Sequence, residues 1–130
     1  MVRTPLAALL ISLALAACVP PSQSRAPIPD PQLIVENDIV QSRAMDAYDA
    51  VRLLRPSFLT FRGQTSVLGT SSPYPTVYVD GLRIGDIDAL RGIPAQQIAT
   101  IRLYRAWDAA TRFGGGNMGG VIAITTRSGR

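Results

Sequence analysis

Five of the 13 residues at positions 19–31 are proline, and this density limits what the start of the chain can fold into. Proline lacks a backbone N–H and fixes φ, so the segment cannot form a regular helix or a strand ladder. In a polyproline II conformation it would reach about 40 Å. We therefore predict a tether here, followed by one small folded domain over residues 32–130.

The segment before the tether is typical of an export signal. A short basic start precedes an apolar run over residues 6–17, which is shorter than the roughly 20 residues that span a bilayer. The run ends in Leu15, Ala16 and Ala17, directly before Cys18, the single cysteine. This ending resembles the bacterial lipobox, so we predict a signal peptide over residues 1–17 and a lipoprotein whose Cys18 carries palmitate-like acyl chains at the head of the linker, residues 18–31. The alternatives are an ordinary signal peptide with an unused thiol, or a buried helix end.

The basic residues exclude several kinds of chemistry. All 13 are arginine, and the chain has neither lysine nor histidine. Schiff-base lysines, phosphate-binding loops that need lysine, histidine bases and histidine-ligated zinc are therefore excluded. The net charge of +4 is spread along the chain without a basic stripe, which argues against nucleic acid as a partner. We expect no catalytic residue, no cofactor and no metal.

The strongest local pattern is a hairpin. Strand-forming residues at 76–79 and 82–84 flank Asp80 and Gly81, the pair that favours a type I′ turn. A helix is predicted over residues 45–55, because apolar residues recur there at helical spacing and Pro56 follows.

Weaker patterns complete an α+β fold of four or five short strands, with the short helices on one side of the sheet. Further strands are predicted at residues 33–35, 57–62, 100–105 and 121–126, short helices or turns at 86–90, 94–98 and 108–113, and a long loop at 64–75.

Two patterns that could carry chemistry have simpler explanations. Gly114, Gly116 and Gly119 match a dinucleotide-binding string, but a helix precedes them and a strand follows, the reverse of what such a site requires. The spacing of Asp80, Asp86 and Asp88 does not fit a calcium loop, and two of these residues suit turn or cap positions.

Aromatic side chains have two interpretations. Tyr74, Tyr78, Tyr104 and Trp107 could form a contact surface. The simpler interpretation, which we prefer, makes Tyr78 and Tyr104 cross-strand partners on a solvent-facing side.

The order of motifs from residue 33 to residue 127 resembles the plug domain of TonB-dependent outer-membrane receptors. The resembling segments are a first helix ended by proline at 47–56, a strand ending in Asp-Gly at 75–81, an Ile-Pro turn leading into a strand at 93–103, a small-residue helix with an aromatic-Gly stop at 108–114, and a final strand at 120–127. The resemblance implies a plug-like α+β domain.

In receptors of this family a barrel encloses the plug, and this chain ends three residues after the last plug-like strand. We therefore expect a stand-alone lipoprotein without the barrel, a channel or import activity. It would be anchored to the outer membrane, face the periplasm, and bind an outer-membrane or transport-associated protein. The residues expected to contact that partner are Gln64, Tyr74, Asp80, Gly81 and Asn117. The alternative is a structural envelope lipoprotein or receptor remnant without a specific ligand.

Overall fold

The computed structural model describes residues 29–60 and 72–129. They form an α+β domain around one five-stranded mixed sheet with the strand order β1-β4-β5-β2-β3. The strands are β1 Leu33–Val35, β2 Thr76–Val79, β3 Leu82–Gly85, β4 Ile98–Tyr104 and β5 Val121–Thr126. The α-helices are α1 Glu36–Ser42, α2 Ala47–Leu54 and α3 Ala106–Phe113, and 3₁₀ turns lie at Pro56–Phe58, Ile87–Gly92 and Ala95–Gln97. The predicted fold class is confirmed.

Different strand termini lie at the two ends of the sheet. β2 and β5 are parallel, whereas β1 and β5 are both antiparallel to β4. Consequently β1, β2 and β5 all begin at the end where β4 finishes. We call this the entry end, because the chain enters the described domain there, and the opposite end, with the turn between β2 and β3, the hairpin end.

One face of the sheet, the core face, is built from a row of apolar register partners. Ile34 pairs with Ile101, Ile101 with Ile124, and Ile124 with Val79. The three isoleucines are almost fully buried, against α1, α2 and the turn Ile87–Gly92. Burying a side chain of this size contributes about 1.5–3 kcal/mol, so this row supplies much of the stability of the domain.

The helices on the core face form for local reasons. In α2, the Asp46 carboxylate accepts a hydrogen bond from the Asp49 backbone N–H at 2.8 Å and so caps the first turn. Ala47, Ala50 and Val51 point into the core. The preceding helix α1 was not predicted, because residues 36–38 are polar and resemble a turn or a cap. Its buried Ile39 packs it against the core.

Two sequence-based expectations are wrong in their local detail. A strand was expected from residue 57, but Pro56 opens a 3₁₀ turn there and Phe58 packs into the core. The helices were expected on one side of the sheet, but the ring of Phe113 at the end of α3 contacts Tyr78 and Tyr104, which lie on the face opposite the core. We call that side the open face.

Candidate functional site

The predicted partner-contact residues come from three loops, and the four of them that the structure describes lie at two ends of the sheet. Tyr74 lies two residues before β2 and Asn117 lies four residues before β5, so both lie at the entry end. Asp80 and Gly81 follow β2 and therefore lie at the hairpin end, about 15 Å away along the strand. Among the residues that the structure describes, the predicted contact residues therefore lie at two separate ends of the sheet.

At the entry end, two loops approach each other closely through their backbones. A β-carbon at Gly119 would overlap the carbonyl oxygen of Tyr74 and lie 2.9 Å from the carbonyl oxygen of Ser72. The Thr76 N–H donates to the Gly120 carbonyl at 3.0 Å. Glycine is therefore required at position 119 for a packing reason, so this glycine of the string needs no ligand to explain it.

Asn117 has a structural role at this end. Its side chain is only 7% exposed, and its amide nitrogen donates to the carbonyl oxygens of Phe113 at 3.3 Å and Gly114 at 3.1 Å. These bonds satisfy carbonyls left open where α3 ends. A contact role for this loop stays a prediction, and the neighbouring Met118 is the more exposed side chain, at 37%.

At the hairpin end, Asp80 and Gly81 form the predicted type I′ turn. Both have positive φ, 48° and 84°, which this turn requires at its two central positions. The Asp80 carboxylate also accepts hydrogen bonds from the backbone N–H of Thr126 at 2.8 Å and from the Thr126 hydroxyl at 2.7 Å. These bonds, the hydroxyl first, hold the pKa of Asp80 below its ordinary value. We call this arrangement the Asp80 clamp.

Gly81 leads directly into β3, which forms one edge of the sheet. β3 is an outer strand of the five. Leu82 and Ile84 are 69% and 55% exposed, with Arg83 between them. Leu82 extends the buried apolar row of the core face by one strand, since it pairs with Val79. The sequence identified both residues as strand formers, but only the strand order shows that they lie at an edge.

The open face carries a polar and aromatic row. Arg102, Ala123, Tyr78 and Arg83 are successive register partners across four strands. The Phe113 ring lies 4.6 Å from the Tyr78 ring and 5.3 Å from the Tyr104 ring. The expectation that Tyr78 and Tyr104 are cross-strand partners is wrong, because β5 lies between their strands and Phe113 joins the two rings.

Arg102 in this row also fixes where the chain enters the domain. Arg102 forms an ion pair with Asp30 at 3.2 Å. The Arg55 guanidinium donates to the Pro31 carbonyl at 2.8 Å, and the Leu103 N–H donates to the Gln32 carbonyl at 2.7 Å. The end of the predicted linker is therefore held against the entry end.

Several predicted residues lie outside the described residues. They are Leu15, Ala16, Ala17, Cys18 and Gln64. Over residues 29–60 and 72–129, no helix is long and apolar enough to cross a membrane. The same ranges hold no group of three or more side chains suited to a metal ion, and the Asp80 carboxylate is engaged by Thr126.

Comparison with known proteins gives one match. A family model described as "TonB-dependent Receptor Plug Domain" matches residues 31–121, which is more than half of the chain. No curated protein and no solved structure matches significantly. The matched segment begins at the entry end, includes the hairpin and all three α-helices, and reaches the first residue of β5.

Proposed function

Because the chain belongs to the TonB-dependent receptor plug domain family, we propose that it acts as a lipid-anchored, plug-like binding module of the bacterial envelope. Plug domains are non-catalytic, so the function sought is one of binding. In this proposal Cys18 holds the chain on the outer membrane, the domain faces the periplasm, and its partner is an outer-membrane or transport-associated protein. Family membership supports the envelope setting.

The observation that carries the proposal is the separation of the two ends of the sheet. The linker joins the domain at the entry end, through Asp30, Pro31 and Gln32. An anchor at Cys18 would draw that end toward the membrane. The hairpin end would then project away from the membrane, where a second protein can reach it.

The hairpin end has the properties of a protein contact. Leu82 and Ile84 are large apolar side chains that lie largely in solvent. They belong to an outer strand, whose free backbone edge can pair with a strand of another protein. The Asp80 clamp holds the tip of this hairpin to β5, so the surface is fixed before a partner arrives. We propose that the strand β3 and the turn residue Gly81 form the principal partner contact.

Affinity capture with crosslinking from solubilised envelope tests the contact. A chain carrying Leu82→Ser and Ile84→Ser should lose its captured partner, whereas Leu53→Ser should not. Leu53 is a matched control because it is 54% exposed on α2, away from the hairpin. Circular dichroism checks that all variants are folded. Equal capture by both chains, or no specific partner with either, would contradict the proposal and favour a structural lipoprotein or receptor remnant.

Mass spectrometry of the amino terminus tests the anchor. Protein isolated from membranes should begin at an acylated Cys18, and a Cys18→Ser chain should leave the membrane fraction. A native protein that begins at Met1, or that carries an unmodified thiol at Cys18, would contradict the anchor.

A further inference from the structure

The entry end exposes apolar and aromatic side chains from three different segments. Trp107, in the first turn of α3, is 83% exposed, the largest value among the large hydrophobic residues of ranges 29–60 and 72–129. Tyr74 before β2 is 40% exposed and Met118 before β5 is 37% exposed. Because β2 and β5 begin where β4 ends, these three side chains lie at the same end of the sheet.

Two arginines lie one on either side of Trp107 in the sequence. Arg105 directly precedes α3 and Arg112 lies in its last turn, and both are exposed. The Arg112 guanidinium lies 5.5 Å from the centre of the Tyr104 ring. Asp108 is the acidic residue on the same helix. A tryptophan flanked by arginines suits the boundary between lipid headgroups and acyl chains, where the indole body is apolar and its N–H reaches water.

The point where the chain enters indicates what covers this surface. Gln32 and Trp107 line the same shallow groove, with Tyr104, Asp108 and Arg112. Pro29 follows Cys18 by 11 residues, so even a fully extended chain keeps Pro29 within about 40 Å of the proposed lipid. The exposed tryptophan and the attachment point of the tether are therefore on the same side of the domain.

We propose that the entry end docks on the surface of the lipid bilayer, with Trp107 in the headgroup region and with Tyr74 and Met118 beside it. This inference rests on the proposed anchor, which brings the surface to the membrane. Docking fixes the orientation of the domain on the bilayer, so that the hairpin end points away from the bilayer at a fixed height.

Trp107 is the single tryptophan of the chain, so its fluorescence reports on this surface directly. The acylated chain is placed in vesicles of phosphatidylcholine with and without phosphatidylglycerol, and in vesicles with brominated acyl chains. We expect a blue-shifted emission, quenching by the brominated lipid and protection from iodide. An emission that stays unshifted, with full access to iodide, would overturn the inference.

Variants that keep the tryptophan test the role of charge. In the Cys18→Ser chain, Arg105→Gln and Arg112→Gln should each weaken binding to the anionic vesicles by about fivefold, as expected for one arginine near such a surface. Arg83→Gln at the hairpin end is the matched control and should leave binding unchanged. Equal effects of all three variants would contradict a docking surface at the entry end.

The same measurements separate this inference from the proposed function. An acylated chain whose Trp107 stays in water contradicts the docking and leaves the anchor intact. An unmodified Cys18 with Trp107 quenched by brominated lipid contradicts the anchor and supports the docking. Protection from iodide in native envelopes but not in protein-free vesicles would mean that a protein covers the surface, which also overturns the inference.

Discussion

At the entry end the segments before β2 and β5 meet through closely packed backbone, whereas at the hairpin end a side chain that follows β2 also binds β5. The first junction depends on the missing side chain of Gly119 beneath the Tyr74 carbonyl. The second depends on two hydrogen bonds from Thr126 to the Asp80 carboxylate. The backbone packing at Gly119 has no titratable group and leaves no space for an added side chain. The hydrogen bonds of the Asp80 carboxylate, in contrast, can be weakened by substitution or by low pH. The same pair of strands therefore has one rigid junction and one adjustable junction.

The largest expected effect comes from adding a side chain at the rigid junction. Gly119→Ala should lower the free energy of unfolding by about 2 kcal/mol, since the new methyl group must push the backbone of the Tyr74 loop away. Urea denaturation measures this difference. Gly115→Ala in the same loop is the control and should change stability by less than about 0.5 kcal/mol, because its methyl group would meet open space. Similar losses for both variants would show that the junction is not specially packed.

A smaller effect is expected at the adjustable junction. Asp80→Asn keeps a residue that tolerates positive φ and keeps one acceptor oxygen, but removes the charge that strengthens both bonds from Thr126. We expect a loss of about 1 kcal/mol at neutral pH, at the low end for such bonds because the carboxylate is exposed. Asp88→Asn, on an exposed carboxylate outside the clamp, is the control. An unchanged urea midpoint for Asp80→Asn would show that the clamp contributes nothing.

The smallest expected effect is a difference in pH dependence between the two chains. The bonds from Thr126 lower the folded-state pKa of Asp80 below its ordinary 3.8, so their stabilisation is present above the unfolded pKa and is lost as pH falls through the folded pKa. Between about pH 5 and about pH 2, the unaltered chain should therefore lose more stability than Asp80→Asn. Other carboxylates titrate in both chains, so the difference isolates Asp80. Parallel curves would contradict the pKa shift.

The sequence predicts the hairpin end better than the entry end, for a physical reason. An Asp-Gly pair specifies its turn through local backbone preference, and the structure shows the predicted positive φ at both residues. The entry end depends on contacts between residues 72–74 and 117–120, which are distant in sequence. The buried role of Asn117 could not be read from its neighbours, because an asparagine in a glycine-rich loop also suits an exposed turn.

Tyr78 and Tyr104 show that some contacts can be predicted only when the strand order is known. Alternation along β4 correctly identifies Ile101 and Leu103 as buried and Tyr104 as facing the other side. Whether Tyr104 meets Tyr78 depends on which strand lies between them, and the insertion of β5 cannot be read from periodicity. The exposure of Leu82 and Ile84 has the same origin, since a strand pattern is identical at the centre and at the edge of a sheet.

Because β5 lies in the middle of the sheet, the sheet can form only after β5 has been synthesised. β5 is the last of the five strands to leave the ribosome, yet it separates β4 from the hairpin of β2 and β3. Until β5 has been synthesised, the hairpin has no third strand beside it and Ile101 of β4 lacks its partner Ile124. A growing chain of this kind cannot complete its sheet until nearly all of it has been synthesised, because the pairings that close the sheet join residues distant in sequence.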